Sequence, residues 1–265
     1  MFRICLLFSI LLPLVVGAFK LSWEDDFNGN GLDGSKWDVI NDCNFKDGNN
    51  ELQCYTNDPK NVRVANGNLV IEAVVEQKGG KKYTSARIHG KNGFKYGRFE
   101  VRAKLPKGKH LWPAIWQMPK ESKFGPWPRS GEIDIMEYRG EVPDKVEGTL
   151  HFGRSGSDKQ SIGSNPKEFG LDFSQDYHVF GFERTPQKMK WFVDGKEYFS
   201  LDTSIGSQKF PDLYKGSQPW DQEFYWIFNL AVGGNFFNGM PPLNEEEAKQ
   251  WPKRTMEVDW VKVYT

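Results

Sequence analysis

Neither sign of charge is in excess, since 35 Lys and Arg balance 35 Asp and Glu. The chain therefore has no basic field for nucleic acid or an anionic membrane, and a neutral partner is the natural inference. Histidine is scarce: His89, His110, His151 and His178 show no metal-ligand spacing. Neither a G-x-S-x-G elbow nor a phosphate-cradling glycine loop occurs, which weighs against serine-hydrolase and nucleotide chemistry. No N-x-Ser/Thr sequon is present, so no N-glycosylation is expected. Internal repeats are lacking, and helical periodicity is confined to "PPLNEEEAKQWP", a short helix entered through Asn244 and stopped before Pro252.

Long apolar runs are also missing beyond the first residues. There Arg3 precedes "ICLLFSILLPLVV" and the small-residue pattern Val16-Gly17-Ala18. This reads as a secretory signal peptide over residues 1–18, too short and too Pro-interrupted for a spanning helix. The C-terminal "VDWVKVYT" is no anchor signal, so the expected product is secreted, extracellular, free of membrane and monomeric. Of three cysteines, Cys5 leaves with the signal. Cys43 and Cys54 remain for an oxidising compartment, where one disulfide is expected. About 250 residues remain, enough for one large all-β or α/β-barrel domain or for two small ones, and no linker divides them.

What is abundant is alternation. "NLVIEAVV", "GRFEVRAKL", "VEGTLHFG", "MKWFVDG", "FYWIFNLAV" and "TMEVDWVKVY" are short period-2 runs between turn residues, the pattern of a sandwich or barrel. "VDGKE" suits a type I′ hairpin at Asp194-Gly195. In "VEGTLHFG", Val146, Gly148, Leu150 and Phe152 form an apolar or small face, while Glu147, Thr149 and His151 form a wet one. Ser85, Arg87 and His89 share a face, as do Trp112, Ala114 and Trp116. Trp and Arg are unusual on an ordinary solvated face, where Lys, Thr and Glu are the rule. They suggest a binding surface.

The run "RSGEIDIMEYRG" places Glu132, Asp134 and Glu137 among apolar residues. A helix would scatter the three acids. As a strand, Glu132 and Asp134 share a face while Ile133 and Ile135 fill the core, and Glu137 has the wrong parity. One extra residue, a β-bulge near Met136, restores it. Glu132 and Glu137 then lie about 13 Å apart at the backbone. Side chains leaning together can reach about 5 Å, the carboxyl separation of a retaining glycosidase. Glu132 then reads as nucleophile and Glu137 as acid/base, with Asp134 between them as assistant in a coupled set. A calcium site is the rival reading of three acids, but no Asp/Asn/Gly calcium loop accompanies them.

"GEIDIMEYRG" resembles the bulged E-x-D-x-x-E signature of glycoside hydrolase family 16, most nearly its endo-1,3-β-glucanase (laminarinase) branch. The resemblance continues through "WEDDFNGNGLDGSKW", "GNNELQCYT", "YTSARIHGKNGFKYGRFEVRAKLPKGKHLWPAIWQMP", "FNLAVGGNF" and "MEVDWVKVY", nearly the whole of residues 19–265. It implies one catalytic domain, all-β, a β-jelly-roll sandwich of two curved antiparallel sheets with a concave substrate cleft. The implied activity is hydrolysis of internal 1,3-β-glucosidic bonds in a β-glucan such as laminarin. Carried over by position, Asn50 and Arg87 bind sugar hydroxyls, Trp112, Trp116 and Trp127 stack on sugar rings, and His151 sits beside the acid/base. A disulfide bracketing "NNELQ" would hold that loop over the cleft. No cofactor is implied for catalysis. A structural calcium remote from the acids is, with Glu24, Gly67 and Asp259 as candidate ligands. The alternatives are a non-catalytic β-glucan recognition protein, which the three acids disfavour, and a preference for mixed-linkage 1,3-1,4-β-glucan.

Overall fold

The computed structural model describes residues 19–45 and 48–265; the signal-peptide reading of residues 1–18 lies outside the described residues. Two eight-stranded antiparallel sheets pack face to face. One runs in the order Asp158–Gly163, Lys145–Ser155, Glu132–Tyr138, Leu111–Pro119, Phe224–Val232, Arg87–Phe94 and Trp37–Val39, and Lys167–Glu168 also pairs with Lys145–Ser155. The other is ordered Lys196–Asp202, Lys188–Val193, His178–Arg184, Gly97–Lys104, Thr255–Tyr264, Asn68–Glu72 and Val62–Ala65, with Leu21–Asp25 joined to Thr255–Tyr264. A small third sheet, Gln53–Tyr55, Lys81–Ser85 and Val74–Lys78, includes one parallel pair. This is a sandwich, one of the two architectures the alternation allows, and it has the jelly-roll form that the resemblance implies.

Period-2 patterning explains the packing. Along Lys145–Ser155, Val146, Gly148, Leu150 and Phe152 turn inward, and the opposite parity carries Glu147 and His151 outward. Inward residues of both sheets form one continuous core that includes Ile133, Ile135, Met136, Leu150, Phe152, Phe182 and Trp191. Burial of this kind contributes about 25 cal/mol per Å² of apolar surface.

Turn chemistry follows the residues as well. Asp194 and Gly195 adopt φ values of 49° and 76°, both positive as a type I′ turn requires. The expected short helix forms at Glu245–Lys249, where Asn244 accepts from the Glu247 amide and Glu247 returns the bond, a capping box. A second helix, Ile205–Lys209, carries no side-chain cap and no apolar stripe that would have marked it.

Candidate active site

The bulge is present. In the pairing of Glu132–Tyr138 with Lys145–Ser155, Asp134 faces Thr149 and Glu137 faces Glu147, so Ile135 and Met136 together oppose Gly148. Both apolar residues enter the core, leaving Glu132, Asp134 and Glu137 on the cleft side. The extra residue restores the parity that a regular strand would break.

The cleft has a volume of about 870 Å³, the size of a ligand site, and runs across the outer face of the first sheet. The acids sit in its floor among indoles. Trp127 Nε1 donates to Glu132 Oε2, and Trp112 Nε1 donates to Glu137 Oε1 at 3.1 Å. His151 Nε2 stands 3.1 Å from Asp134 Oδ2, while its Nδ1 meets Ser161 Oγ at 2.8 Å. Arg139 bonds Glu147 at 2.8 Å along the same wall.

Electrostatics divide the groups. Burial, reinforced by the charge of Asp134, pushes the Glu137 carboxyl well above the usual carboxylate range, and His151 opposes the shift. For His151, burial acts downward, but contact with Asp134 and the charges of Asp134, Glu132 and Glu137 outweigh it and push the imidazole up to about 9. The site therefore favours the protonated form of Glu137 beside an imidazolium paired with Asp134. On the far wall, burial and then Arg87 bring His89 down to about 3, leaving it neutral to accept from Arg87 Nε at 2.7 Å.

Most of the site residues expected from sequence converge here: Arg87, Trp112, Trp116, Trp127 and His151 all line the cleft with the acids. Trp127 is 44% exposed. Trp116 donates to Asn229 Oδ1 at 2.7 Å and has the Arg87 guanidinium over its ring at 4.7 Å. Trp112 is stacked on Phe236 with ring centroids 4.4 Å apart, so each of these two indoles has one face covered. Ser85, which shares parity with Arg87, is instead buried in the third sheet.

Asn50 lies elsewhere. It lines an adjoining pocket of about 620 Å³ and donates to Asn235 Oδ1 at 3.1 Å, while Asn49 and Glu51 on either side reach the cleft. The disulfide between Cys43 and Cys54 closes this loop.

Several cleft residues escaped the sequence reading. Arg139 has the same parity signal as Glu137 and could have been found from it, as Glu147 was from its place beside His151; Phe236 sits in a 3-10 turn, Asn235–Phe237, where no periodicity operates.

The calcium ligands implied by the resemblance do not form a cation cage. The Asp259 carboxylate is held by Arg102, and the Glu24 backbone oxygen accepts from Lys36 Nζ at 2.9 Å. Two of the three donors already face a cation, so the set does not fit calcium. Among the described residues, the cluster of three ligand-type side chains with atoms within 4.8 Å of one another is Glu132, Asp134 and His151, in the cleft itself.

Comparison with known proteins agrees with this geometry. A family model described as "Beta-porphyranase A-D, GH16 domain" matches residues 20–265. The chain is 47% identical over 256 residues to a glucan endo-1,3-beta-glucosidase of Cryptopygus antarcticus, covering 94% of this chain and 93% of that protein. It is 38% identical over 262 residues to a beta-glucanase of Rhodothermus marinus, covering 93% and 85%. Among solved structures, the laminarinase from Rhodothermus marinus matches with a TM-score of 0.80 and 37% identity, covering 93% of this chain and 97% of that one.

Proposed function

The chain belongs to glycoside hydrolase family 16, and from that premise we propose that it works as a secreted, monomeric, retaining endo-1,3-β-glucanase formed by residues 19–265. The observation that carries this reading is the pair of unlike carboxyls on one bulged strand: Glu137 buried and pushed toward its protonated form, with Glu132 in the same cleft under an indole N–H. Unlike carboxyls are what double displacement at an anomeric carbon requires.

Glu132 attacks C1 of the sugar and forms the glycosyl-enzyme bond as the C1–O bond to the leaving chain breaks. Glu137 delivers its proton to that departing oxygen. Because Trp112 donates to Glu137 Oε1, the transferable proton belongs on Oε2. Deprotonated Glu137 then takes a proton from water, whose oxygen displaces Glu132 and restores the original anomeric configuration. Asp134, paired with His151, lies between the two glutamates, and its charge helps to raise Glu137 toward its protonated form. Every proton moves among glutamate, sugar and water, and no cofactor takes part.

The polymer read as substrate is a neutral 1,3-β-glucan. The name of the matching family model points to another polymer, and the cleft helps to decide. With Glu137 favoured in its protonated form and His151 an imidazolium, Glu51, Glu132, Asp134 and Glu147 are balanced by Arg87, Arg139, Lys159 and His151. An anionic polymer such as a sulfated galactan would find no excess of cations there, whereas exposed Trp127 offers a ring face to a neutral sugar.

The test is release of reducing ends from a linear 1,3-β-glucan by wild type and Glu132→Gln. Activity in the wild type that falls by at least about 10³-fold in the folded variant is expected. Proton NMR of the first product should show the β-anomer. An α-anomer would replace the retaining mechanism by an inverting one, and binding without release by the wild type would make the protein a recognition module.

A further inference from the structure

Trp191 belongs to the sheet opposite the cleft, on strand Lys188–Val193, yet its indole reaches the strand that carries the acids. Its Nε1 donates to the backbone oxygen of Asp134 at 2.9 Å, and the residue is fully buried. Asp134 is the last regularly paired residue before the bulge. A bulge disrupts the ladder locally, and a peptide oxygen turned between the sheets must find a buried donor from the other side.

Gly148 makes the approach possible. It is the residue that both Ile135 and Met136 oppose, and a Cβ there would lie 2.3 Å from Trp191 Cδ1 and 2.5 Å from Nε1. No other residue type leaves room for the indole edge at this point. From its own sheet the ring is held by Phe182 and Phe199, with centroids at 4.8 Å and 4.9 Å. The donor is thus a rigid group on a rigid element, aimed at one carbonyl.

We propose that Trp191, admitted by Gly148, is a positioning residue that sets the bulge and through it the spacing of Glu132 and Glu137. It touches no substrate and acts through the Asp134 peptide. The proposal rests on the two-carboxyl reading above. Loss of the N–H frees the peptide to relax toward a regular ladder, and a shift of about 1 Å between reacting groups is enough to cost roughly a hundredfold in rate.

The experiment replaces the Trp191 indole site-specifically by benzothiophene, which keeps the bicyclic shape and lacks the N–H, with 7-azatryptophan as the variant that keeps it. On a 1,3-β-glucan, the benzothiophene protein should lose about tenfold to a hundredfold in kcat with KM within about twofold, and 7-azatryptophan should retain the rate. The alkaline limb of the pH profile should also move to lower pH, because Glu137 leaves the charge of Asp134. A merely structural role would lower Tm and leave that limb in place. Gly148→Ala, which displaces the indole without removing its N–H, should reproduce the kcat loss. Wild-type kcat and limb in either folded variant would overturn the proposal. Unfolding of both would also overturn it, since the indole would then support the whole sandwich rather than the bulge. Glu132→Gln measured alongside separates the two failures: if it is dead while the benzothiophene protein is unimpaired, the two-carboxyl reading stands and only this inference falls.

Discussion

The single residue on which the chemistry turns hardest is Glu137, because its proton must be present at neutral pH and transferable. Burial and the Asp134 charge keep it on. A carboxyl whose folded pKa is raised favours folding fully below its unfolded value and loses that contribution as pH rises through the folded value. Glu137→Gln removes the ionisation altogether. We expect its Tm to match wild type near about pH 4 and to exceed it at about pH 9, while kcat on glucan falls about 10²- to 10⁴-fold. Thermal unfolding at the two pH values checks the sign, and an equal Tm offset at both would refute it. His151 titrates in the opposite sense. Its value rises from 6.5 to about 9, so its stabilisation is complete below 6.5 and is lost as pH climbs through about 9. His151→Gln should therefore be destabilised most near about pH 6 and least near about pH 10. It should also raise the alkaline limb of kcat/KM, since the imidazolium is the group that holds Glu137 down.

At the scale of the element, the disulfide loop and the catalytic strand are separable. Residues 43–54 carry Phe45, Asn49 and Glu51 to the cleft, whereas the acids stand on Glu132–Tyr138. Replacing Cys43 and Cys54 together by Ser removes a cross-link worth about 3 kcal/mol on the loop-entropy account. For a domain of this size that lowers Tm by about 5–12 °C. KM should rise while kcat holds within about twofold, because the loop orders contacts to substrate without orienting either glutamate; a kcat loss larger than the KM change would tie the loop to the chemistry. The strand itself shows how far sequence reading reaches. Parity alone located the bulge, since Ile133 and Ile135 demand one face for the core and Glu137 could join the other acids only through an extra residue. Parity likewise turned Arg87, Trp112, Trp116 and His151 toward one surface. It fails where the chain leaves the pleat. Asn50, assigned to the cleft by resemblance and not by parity, has a positive φ of 56° and lines the adjoining pocket, and Phe236 arrives from a 3-10 turn that no alternation announces. Trp191 was invisible for another reason: its bond to Asp134 joins two sheets, and no local pattern reports which partner a buried indole will find.

At the scale of the whole molecule, zero net charge meets a cleft whose acids and bases balance. Several of these charges are already answered within the protein, Arg139 by Glu147 and Asp134 by His151. What remains to face a polymer is indole, imidazole and amide, groups whose attraction to a neutral sugar is short-range and little screened by salt. Charged polymers are different, because their encounter with a charged cleft is felt across a Debye length, about 10 Å at 0.1 M salt. For a linear neutral 1,3-β-glucan, kcat/KM should therefore change by less than about twofold between about 0.02 M and about 0.5 M NaCl. An anionic galactan, offered no excess of cations in the cleft, should be cleaved poorly at every salt concentration. Parallel rate measurements on the two polymers decide the matter. A steep fall in kcat/KM with salt on the anionic polymer would mean that the cations of the cleft, Arg87, Arg139 and Lys159, govern binding and that the neutral-glucan reading has the wrong substrate.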